Sequence, residues 1–264
     1  DLAWQFWPSL GVSLGRTEAR IAEEEELFAA LDEASVGVAL LPLLYGKVEM
    51  DGISLAGLDV NLIDGPDGAN WEQIGPQTPA EETREEAPAA EENDSSSLDI
   101  PLTIPSVAIT DGKVRYRNTG DGTDIVVEHF NLNAQDVNLD EAFPLQMSLR
   151  YQDQSDMRVD MNLDTILTAN LDANHFILDP MKLDANIAGA TTMPVDVHLE
   201  QKLDVNLNED SVSIKELLLT AAGTETRGNI DIAALTGDMQ LSGKLATAPF
   251  DANKVLEAIG EAPI

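Results

Sequence analysis

A serine between two glycines is the first feature of this chain that could do chemistry. Residues 11–15 have the sequence Gly-Val-Ser-Leu-Gly, which matches the G-x-S-x-G pattern of a nucleophile elbow. That chemistry needs a strand, a sharp turn at the serine and a helix directly after it. Leu10, Val12 and Leu14 instead alternate through Ser13 as a strand does, and no helical pattern follows at once. We expect Ser13 to lie on the polar face of a strand, with a serine hydrolase as the remote alternative.

The three histidines are the other candidates for catalysis or metal binding. His198 lies between Asp196 and Glu200 on one face of an extended segment, where alternate residues are about 6.5 Å apart and could share a metal ion. No second histidine stands at ligand spacing, and no H-E-x-x-H pattern exists. His129 and His175 belong to no such group. A solvated polar face is the favoured interpretation, and we expect no catalytic residue, metal or cofactor.

Two acidic, glycine-containing segments, 64–68 and 121–124, resemble calcium loops in composition. A calcium loop of the EF-hand type needs ligands at fixed offsets and a closing glutamate, and neither segment has them. Both segments are typical of hairpin turns. Carboxylates are abundant throughout the chain, so their proximity identifies no site.

The composition restricts the partners of the protein. The chain has 264 residues, 43% of them hydrophobic, no cysteine and a formal net charge of −33. That length suffices for one large all-β domain or two smaller units, and disulfides are excluded. The charge repels nucleic-acid phosphates and anionic lipid surfaces, so we expect no nucleic acid as a partner. Acidity along the whole chain suggests a high-salt habitat, where screening reduces self-repulsion, or an ordinary solubilising surface.

Alternation of polar and apolar residues indicates the elements that must carry any site. It is clearest over residues 195–207, a segment that predicts one long half-buried strand. Similar segments recur, separated by turn signals such as Asp51-Gly52, Asp111-Gly112 and residues 118–122, and they predict an antiparallel meander. A slip in the alternation at Gln135-Asp136 is typical of a β-bulge.

The order of the elements divides the chain into three parts. Residues 75–97 are rich in proline, serine and acidic residues and predict a linker or disordered loop between an N-terminal β unit, 1–74, and a C-terminal β-sheet unit, 98–264. A short helix is predicted over 252–259, capped by Asp251 and ended by Gly260. Residues 17–32 favour a short helix or loop that continues into a strand near Ala34.

Several segments in the first half of the chain together resemble the AsmA family of bacterial envelope proteins. They are Trp4, Pro8, 10–15 (LGVSLG), 36–44 (VGVALLPLL), 46–50 (GKVEM), Ile53, Leu55, 57–62 (GLDVNL) and 68–71 (GANW). Residues 109–116 resemble the hairpin that follows the variable linker of this family, and 249–260 resemble its later helix. The resemblance does not include the N-terminal membrane helix or the C-terminal portion of the family.

The resemblance implies a periplasmic protein that is anchored in the inner membrane of a Gram-negative bacterium in its full-length form. The family is related to chorein and bridge-like lipid transfer proteins, so we expect a mainly β fold: a long, curled antiparallel sheet that forms a groove or half-barrel, with a few short helices. The expected partners are phospholipid acyl chains and, through the anchor, the envelope membranes. The expected role is phospholipid transport between the inner and outer membranes and outer-membrane assembly.

The groove would be lined by residues on the apolar faces of the predicted strands. They are Leu145, Met147, Leu149, Met157, Val159, Met161, Val195, Val197, Leu199, Leu203, Val205 and Leu207. The same alternation fits a second structure, a closed sandwich of two sheets with a filled interior, which would serve as a scaffolding or partner-binding module of a periplasmic assembly. Access of solvent to the apolar faces separates the two structures.

Overall fold

The computed structural model describes residues 9–21, 27–39, 45, 50–66, 68–73, 103–139 and 141–264. The strands before residue 74 are short: β1 (Ser9–Leu14), β2 (Thr17–Arg20), β3 (Leu27–Leu31), β4 (Glu33–Ala39), β5 (Met50–Ala56), β6 (Asp59–Gly65) and β7 (Gly68–Ala69). The later strands are longer: β8 (Ile104–Asn118), β9 (Asp124–Val137), β10 (Phe143–Asp153), β11 (Arg158–Asn170), β12 (His175–Ala188), β13 (Val195–Asn206), β14 (Ser211–Ala221), β15 (Thr224–Ala233) and β16 (Gln240–Thr247). A 3₁₀ turn covers Asn70–Gln73, and the helix α1 covers Ala252–Ala258.

All 16 strands belong to one sheet, which curls without closing on itself. From β8 to β16 each strand pairs antiparallel with the next, which confirms the predicted meander. The N-terminal strands differ, because β5 and β6 both pair with β8 in parallel. Hence β8 has two short strands end to end along one edge, and strands from both predicted units share the sheet. The division into units remains a prediction, and its linker, 75–97, lies outside the described residues.

A line of backbone irregularities crosses the N-terminal half of the sheet. The extended strand conformation is interrupted between β1 and β2, between β3 and β4 at Asp32, and between β5 and β6 at Gly57, whose φ is +63°. A Cβ at Gly57 would lie 2.2 Å from Asp32 Oδ2, so glycine is required for this close approach. The line continues in β8 at Asp111, where φ is +52° and the pairing with β9 shifts.

A second line of register shifts crosses the later strands. It passes through Ile166 in β11, Asp179-Pro180 in β12, Gln201 in β13 and Lys215-Glu216 in β14. Bulges bend a strand and increase its local twist. Two lines of bulges therefore account for a sheet that curls instead of remaining flat.

Several local predictions need correction. Residues 17–20 and 27–31 form paired strands, because their alternating side chains find cross-strand partners, so the predicted helix or loop is wrong there. Asp51-Gly52 and Asp111-Gly112 lie inside β5 and β8, where a strand and a bulge accommodate them without a turn. The pairing of β8 with β9 shows no shift at Gln135-Asp136, although Asp136 has a φ of +48°.

Other local predictions are confirmed. Strands β6 and β7 pair antiparallel with Gly65 opposite Gly68, as a hairpin requires, and a turn joins β8 to β9 at residues 118–123. The helix α1 ends one residue earlier than predicted, and the Asp251 carboxylate caps it by accepting a hydrogen bond from Asn253 N at 3.0 Å. Gly260 follows with a φ of +81°.

Candidate functional site

One face of the sheet carries a continuous row of apolar side chains that runs across ten strands. Each member is the direct cross-strand partner of the next: Leu14, Ala34, Leu55, Ile109, Leu132, Met147, Leu163, Leu183, Leu199 and Leu219. We call this set the central apolar row. Strands lie about 4.8 Å apart, so the row extends for about 43 Å across the strands. The apolar surface therefore runs along the sheet and not along any single strand.

Shorter rows on the same face flank the central apolar row. On one side the partners are Leu149, Met161, Ala185, Val197 and Ala221. On the other side they are Phe143, Leu167, Leu178, Leu203, Ile214 and Ile230. We call this whole surface the apolar face. Cross-strand apolar pairs of this kind stabilise a sheet, and here they also form one contiguous hydrophobic area.

The apolar face is half-buried rather than enclosed. Within the described part of the chain, only six hydrophobic residues are buried: Ile21, Ala69, Ala134, Phe143, Ala169 and Leu217. No large side chain there is less than 2% exposed. A closed sandwich would bury its inward side chains almost completely, because its two sheets pack at the density of a protein interior. The described strands form a single sheet with an accessible apolar face, so the alternative of two packed sheets is wrong.

The predicted lining residues occupy the strands as follows. Ten of the twelve lie in β10, β11 and β13 and are half-buried on the apolar face. Met157 lies in the turn before β11, and Leu207 lies just after β13 and is 55% exposed. Val197 pairs with Ala185 and Ala221, and Val205 pairs with Phe176 and Val212. The apolar face extends beyond the predicted set into β12 and β14. The sequences of these two strands also alternate between aliphatic and polar residues, so the same reasoning could have identified them.

The opposite, polar face carries charged and amide side chains in cross-strand ion pairs. Arg150 contacts Asp160 at 2.6 Å, Lys182 contacts Glu200 at 3.0 Å, and Lys202 contacts Asp179 at 2.7 Å. The hydrogen bond and charge of Asp179 raise the pKa of Lys202 above its ordinary value. A cavity of about 1070 Å³ is lined by polar-face residues such as Gln146, Asp164 and Lys182, and also by Ile109, Leu132, Met147 and Leu163 of the central apolar row.

Each histidine lies on the polar face beside a single aspartate. His129 Nδ1 is 2.9 Å from Asp111 Oδ1, and His198 Nδ1 is 2.7 Å from Asp184 Oδ1. His175 Nε2 is 2.7 Å from Asp204 Oδ1. The partner of His198 comes from the neighbouring strand β12, which only the register reveals. In the part of the chain that the structure describes, no three histidine or acidic side chains are grouped to hold a metal ion.

Ser13 lies on an exposed strand and not at a nucleophile elbow. Strand β1 continues through it to Leu14, and after Gly15 and Arg16 the chain enters the strand β2. Ser13 is opposite Ser35 in the register. The strand interpretation is confirmed, and the sharp turn and helix that a hydrolase needs are replaced by a second strand.

Comparison with known proteins identifies the class of protein. The model of the AsmA family, a family of bacterial envelope proteins, matches residues 1–149, which is more than half of the chain. The chain therefore belongs to the AsmA family. No curated protein and no solved structure matches it. Among the residues that the structure describes, no helix has the length and hydropathy needed to cross a membrane.

Proposed function

We propose that this protein shields lipid acyl chains on the apolar face of its curled sheet. The observation that carries the proposal is the central apolar row, which crosses ten strands without a polar side chain. The row is a continuous apolar surface about 43 Å long, and large contiguous apolar surfaces on soluble proteins are typical of binding sites. An acyl chain fits it chemically, because transfer of each CH₂ group out of water contributes about 0.8 kcal/mol without any polar contact.

The direction of the row suggests how lipid would move. Successive strands present equivalent aliphatic side chains, so a chain that slides from Met147 to Leu163 to Leu183 exchanges one apolar contact for another. No step along this path requires an acyl chain to enter water. The proposed groove is thus a path along the sheet, and a single closed pocket is not needed.

The polar face has a different role in this proposal. Its ion pairs and its share of the net charge of −33 keep a sheet with one uncovered apolar face in solution. The charge also works against anionic headgroups near the rims of the sheet, an effect that salt reduces. The protein needs no catalytic group for this function, and we propose that it is not an enzyme.

Membership of the AsmA family supports the cellular setting of the proposal. We propose that the full-length protein is anchored to the inner membrane and lies in the periplasm. There it contributes to phospholipid transport between the inner and outer membranes and to outer-membrane assembly. The curled, open sheet supports this role because it offers one long apolar surface to lipid and one charged surface to water.

Photo-crosslinking at adjacent positions of one strand tests the proposal. A benzophenone amino acid replaces Leu199 on the apolar face or Glu200 on the polar face, and a second pair replaces Leu163 or Asn162. The purified protein is mixed with vesicles of a zwitterionic phospholipid and irradiated, and mass spectrometry detects lipid adducts. We expect adducts at Leu199 and Leu163 and few at their neighbours. Equal labelling of both faces, or no labelling of either, would contradict the proposal.

A further inference from the structure

Gln201 is a polar side chain on the apolar face. It lies two residues from both Leu199 and Leu203 in β13, so its side chain points to the same face of the sheet as theirs. Its cross-strand partner in β12 is Met181. Its exposure is only 9%, so more than nine-tenths of the residue is buried. The alternation in the sequence already contains this exception, because residue 201 is the one polar position among the apolar positions from 195 to 207.

The amide of Gln201 is buried but has only one weak hydrogen-bond partner. Its Nε2 donates to Met181 Sδ at 3.3 Å, and a thioether sulfur is a weak acceptor. Among the described residues, none makes a hydrogen bond to its Oε1. In the same part of the chain, the one side-chain oxygen that is fully enclosed and lacks a hydrogen bond is Asp59 Oδ1. Gln201 Oε1 is therefore not fully enclosed: it is an acceptor that has no hydrogen bond within the described chain and keeps some contact with solvent.

Other buried residues surround Gln201. It lies in the second line of register shifts, where β13 opposes Glu216 and Leu217 of β14, and Leu217 is itself buried at 9% exposure. On the far side of Met181, Thr165 is 2% exposed and makes a long hydrogen bond of 3.4 Å to Ile166 O. A ligand hydroxyl that donates to Oε1 would replace a contact with water by a hydrogen bond in mostly apolar surroundings, which favours binding.

We propose that Gln201 is a polar contact site within the apolar groove, selective for acyl lipids that carry a hydrogen-bond donor, such as a hydroxyl or an amide, beside the acyl chain. The donor requirement follows from the unpartnered group, which is the acceptor Oε1. An ester carbonyl cannot satisfy that oxygen, whereas a hydroxyl both donates to Oε1 and accepts from the second hydrogen of Nε2. The inference rests on the proposed acyl-chain function and adds a preference among lipids to it.

Two uncharged lipids with the same acyl chain test this selectivity. 1-Monooleoylglycerol carries hydroxyls, and methyl oleate carries only the ester. Each displaces an uncharged fluorescent acyl probe from the wild-type protein and from Gln201→Leu, and the measured quantity is the ratio of the two dissociation constants. Since one hydrogen bond contributes about 1 kcal/mol, we expect Gln201→Leu to reduce the preference for monooleoylglycerol by about fivefold. Binding of methyl oleate should be unchanged or tighter.

Gln146→Leu is the matched control, because Gln146 is the same residue type on the polar face, where it donates to Asp164 Oδ2 at 2.9 Å. It should leave the ratio unchanged. A second variant, Gln201→Met, keeps the length of the side chain and should behave as Gln201→Leu does. If both lipids bind and Gln201→Leu leaves the ratio unchanged, or if Gln146→Leu lowers it equally, the selectivity is refuted while the proposed function stands. If neither lipid binds the wild-type protein, the proposed function itself fails.

Discussion

The two faces of the sheet share the same backbone but differ in how their side chains find partners. On the apolar face, Leu163, Leu183 and Leu199 contact one another across strands and have no second layer of the described chain that buries them fully. On the polar face, side chains such as Arg150 and Lys182 form ion pairs across strands and also contact water. The side chains of the polar face therefore find their partners in solution. The side chains of the apolar face would be fully removed from water only if an apolar molecule covered them. That difference is the reason why we propose that lipid binds on the apolar face.

Introducing a charge on each face in turn should give the largest difference between the two faces. Leu199→Asp places a carboxylate in the central apolar row, between Leu183 and Leu219. Burial of a polar group without a partner costs about 1–3 kcal/mol, and loss of the leucine contacts adds to that. We expect a loss of about 3 kcal/mol in the free energy of unfolding, measured by urea denaturation, together with loss of lipid crosslinking at Leu163.

The matched control for that variant is Leu218→Asp, one residue from the partner of Leu199 but on the polar face. Leu218 lies between Glu200 and Arg227 in the register, so a new carboxylate there meets one like charge and one opposite charge near water. Leu218 is itself half-buried, so we expect some loss in the free energy of unfolding, but a clearly smaller loss than for Leu199→Asp, because the new carboxylate has charged neighbours. Similar destabilisation by both variants would mean that the two faces do not differ as described.

Salt should act on the polar face and leave the apolar face unaffected. The screening length falls from about 30 Å at 0.01 M to about 3 Å at 1 M, which weakens repulsion among the charges that sum to −33. We expect the melting temperature to rise with sodium chloride over this range, in a scan by circular dichroism. A variant with glutamine or asparagine in place of four exposed carboxylates, Asp172, Glu209, Asp238 and Glu261, should show a smaller rise. A melting temperature that falls or stays constant would contradict this account.

The sequence predicted the two faces better than it predicted their arrangement. Alternation through residues 195–206 placed Val197 and Leu199 on the apolar face, because side-chain direction in a strand depends only on local order. Alternation does not determine which residues meet across strands, so the central apolar row and the contact between His198 and Asp184 became visible only with the register. The same limit explains the error at Asp111-Gly112, since a bulge and a turn use the same residue types.

Gln201 shows a different limit of the sequence. Its parity was visible, but a polar residue in an apolar alternation is equally typical of a bulge that turns the side chain to solvent. Only the pairing with Met181 and the 9% exposure place its amide among apolar side chains. The parallel pairing of β5 and β6 with β8 was also beyond the sequence, because residues far apart in the chain form it.

The smallest expected effect concerns the turn between β10 and β11 at one end of the strands. The Asp153 carboxylate accepts hydrogen bonds from Ser155 Oγ at 2.6 Å, from Ser155 N at 2.9 Å and from Met157 N at 3.2 Å. These bonds, chiefly the one from the Ser155 side chain, lower the pKa of Asp153 below its ordinary value. A carboxylate with a lowered folded-state pKa stabilises the fold fully above the unfolded pKa of about 3.9 and loses that contribution as the pH falls through the folded-state pKa.

We therefore expect Asp153→Asn to lower the melting temperature at pH 7, by much less than Leu199→Asp does. The difference from the wild-type protein should shrink as the pH falls below about 4, because the wild-type carboxyl group then becomes neutral as well. Thermal scans from pH 7 to pH 3 measure this. Asp172→Asn is the control, since Asp172 is exposed and its carboxylate accepts no hydrogen bond from the described residues, and it should change the melting temperature little. A penalty for Asp153→Asn that persists unchanged at pH 3 would show that the charge of Asp153 does not stabilise the turn.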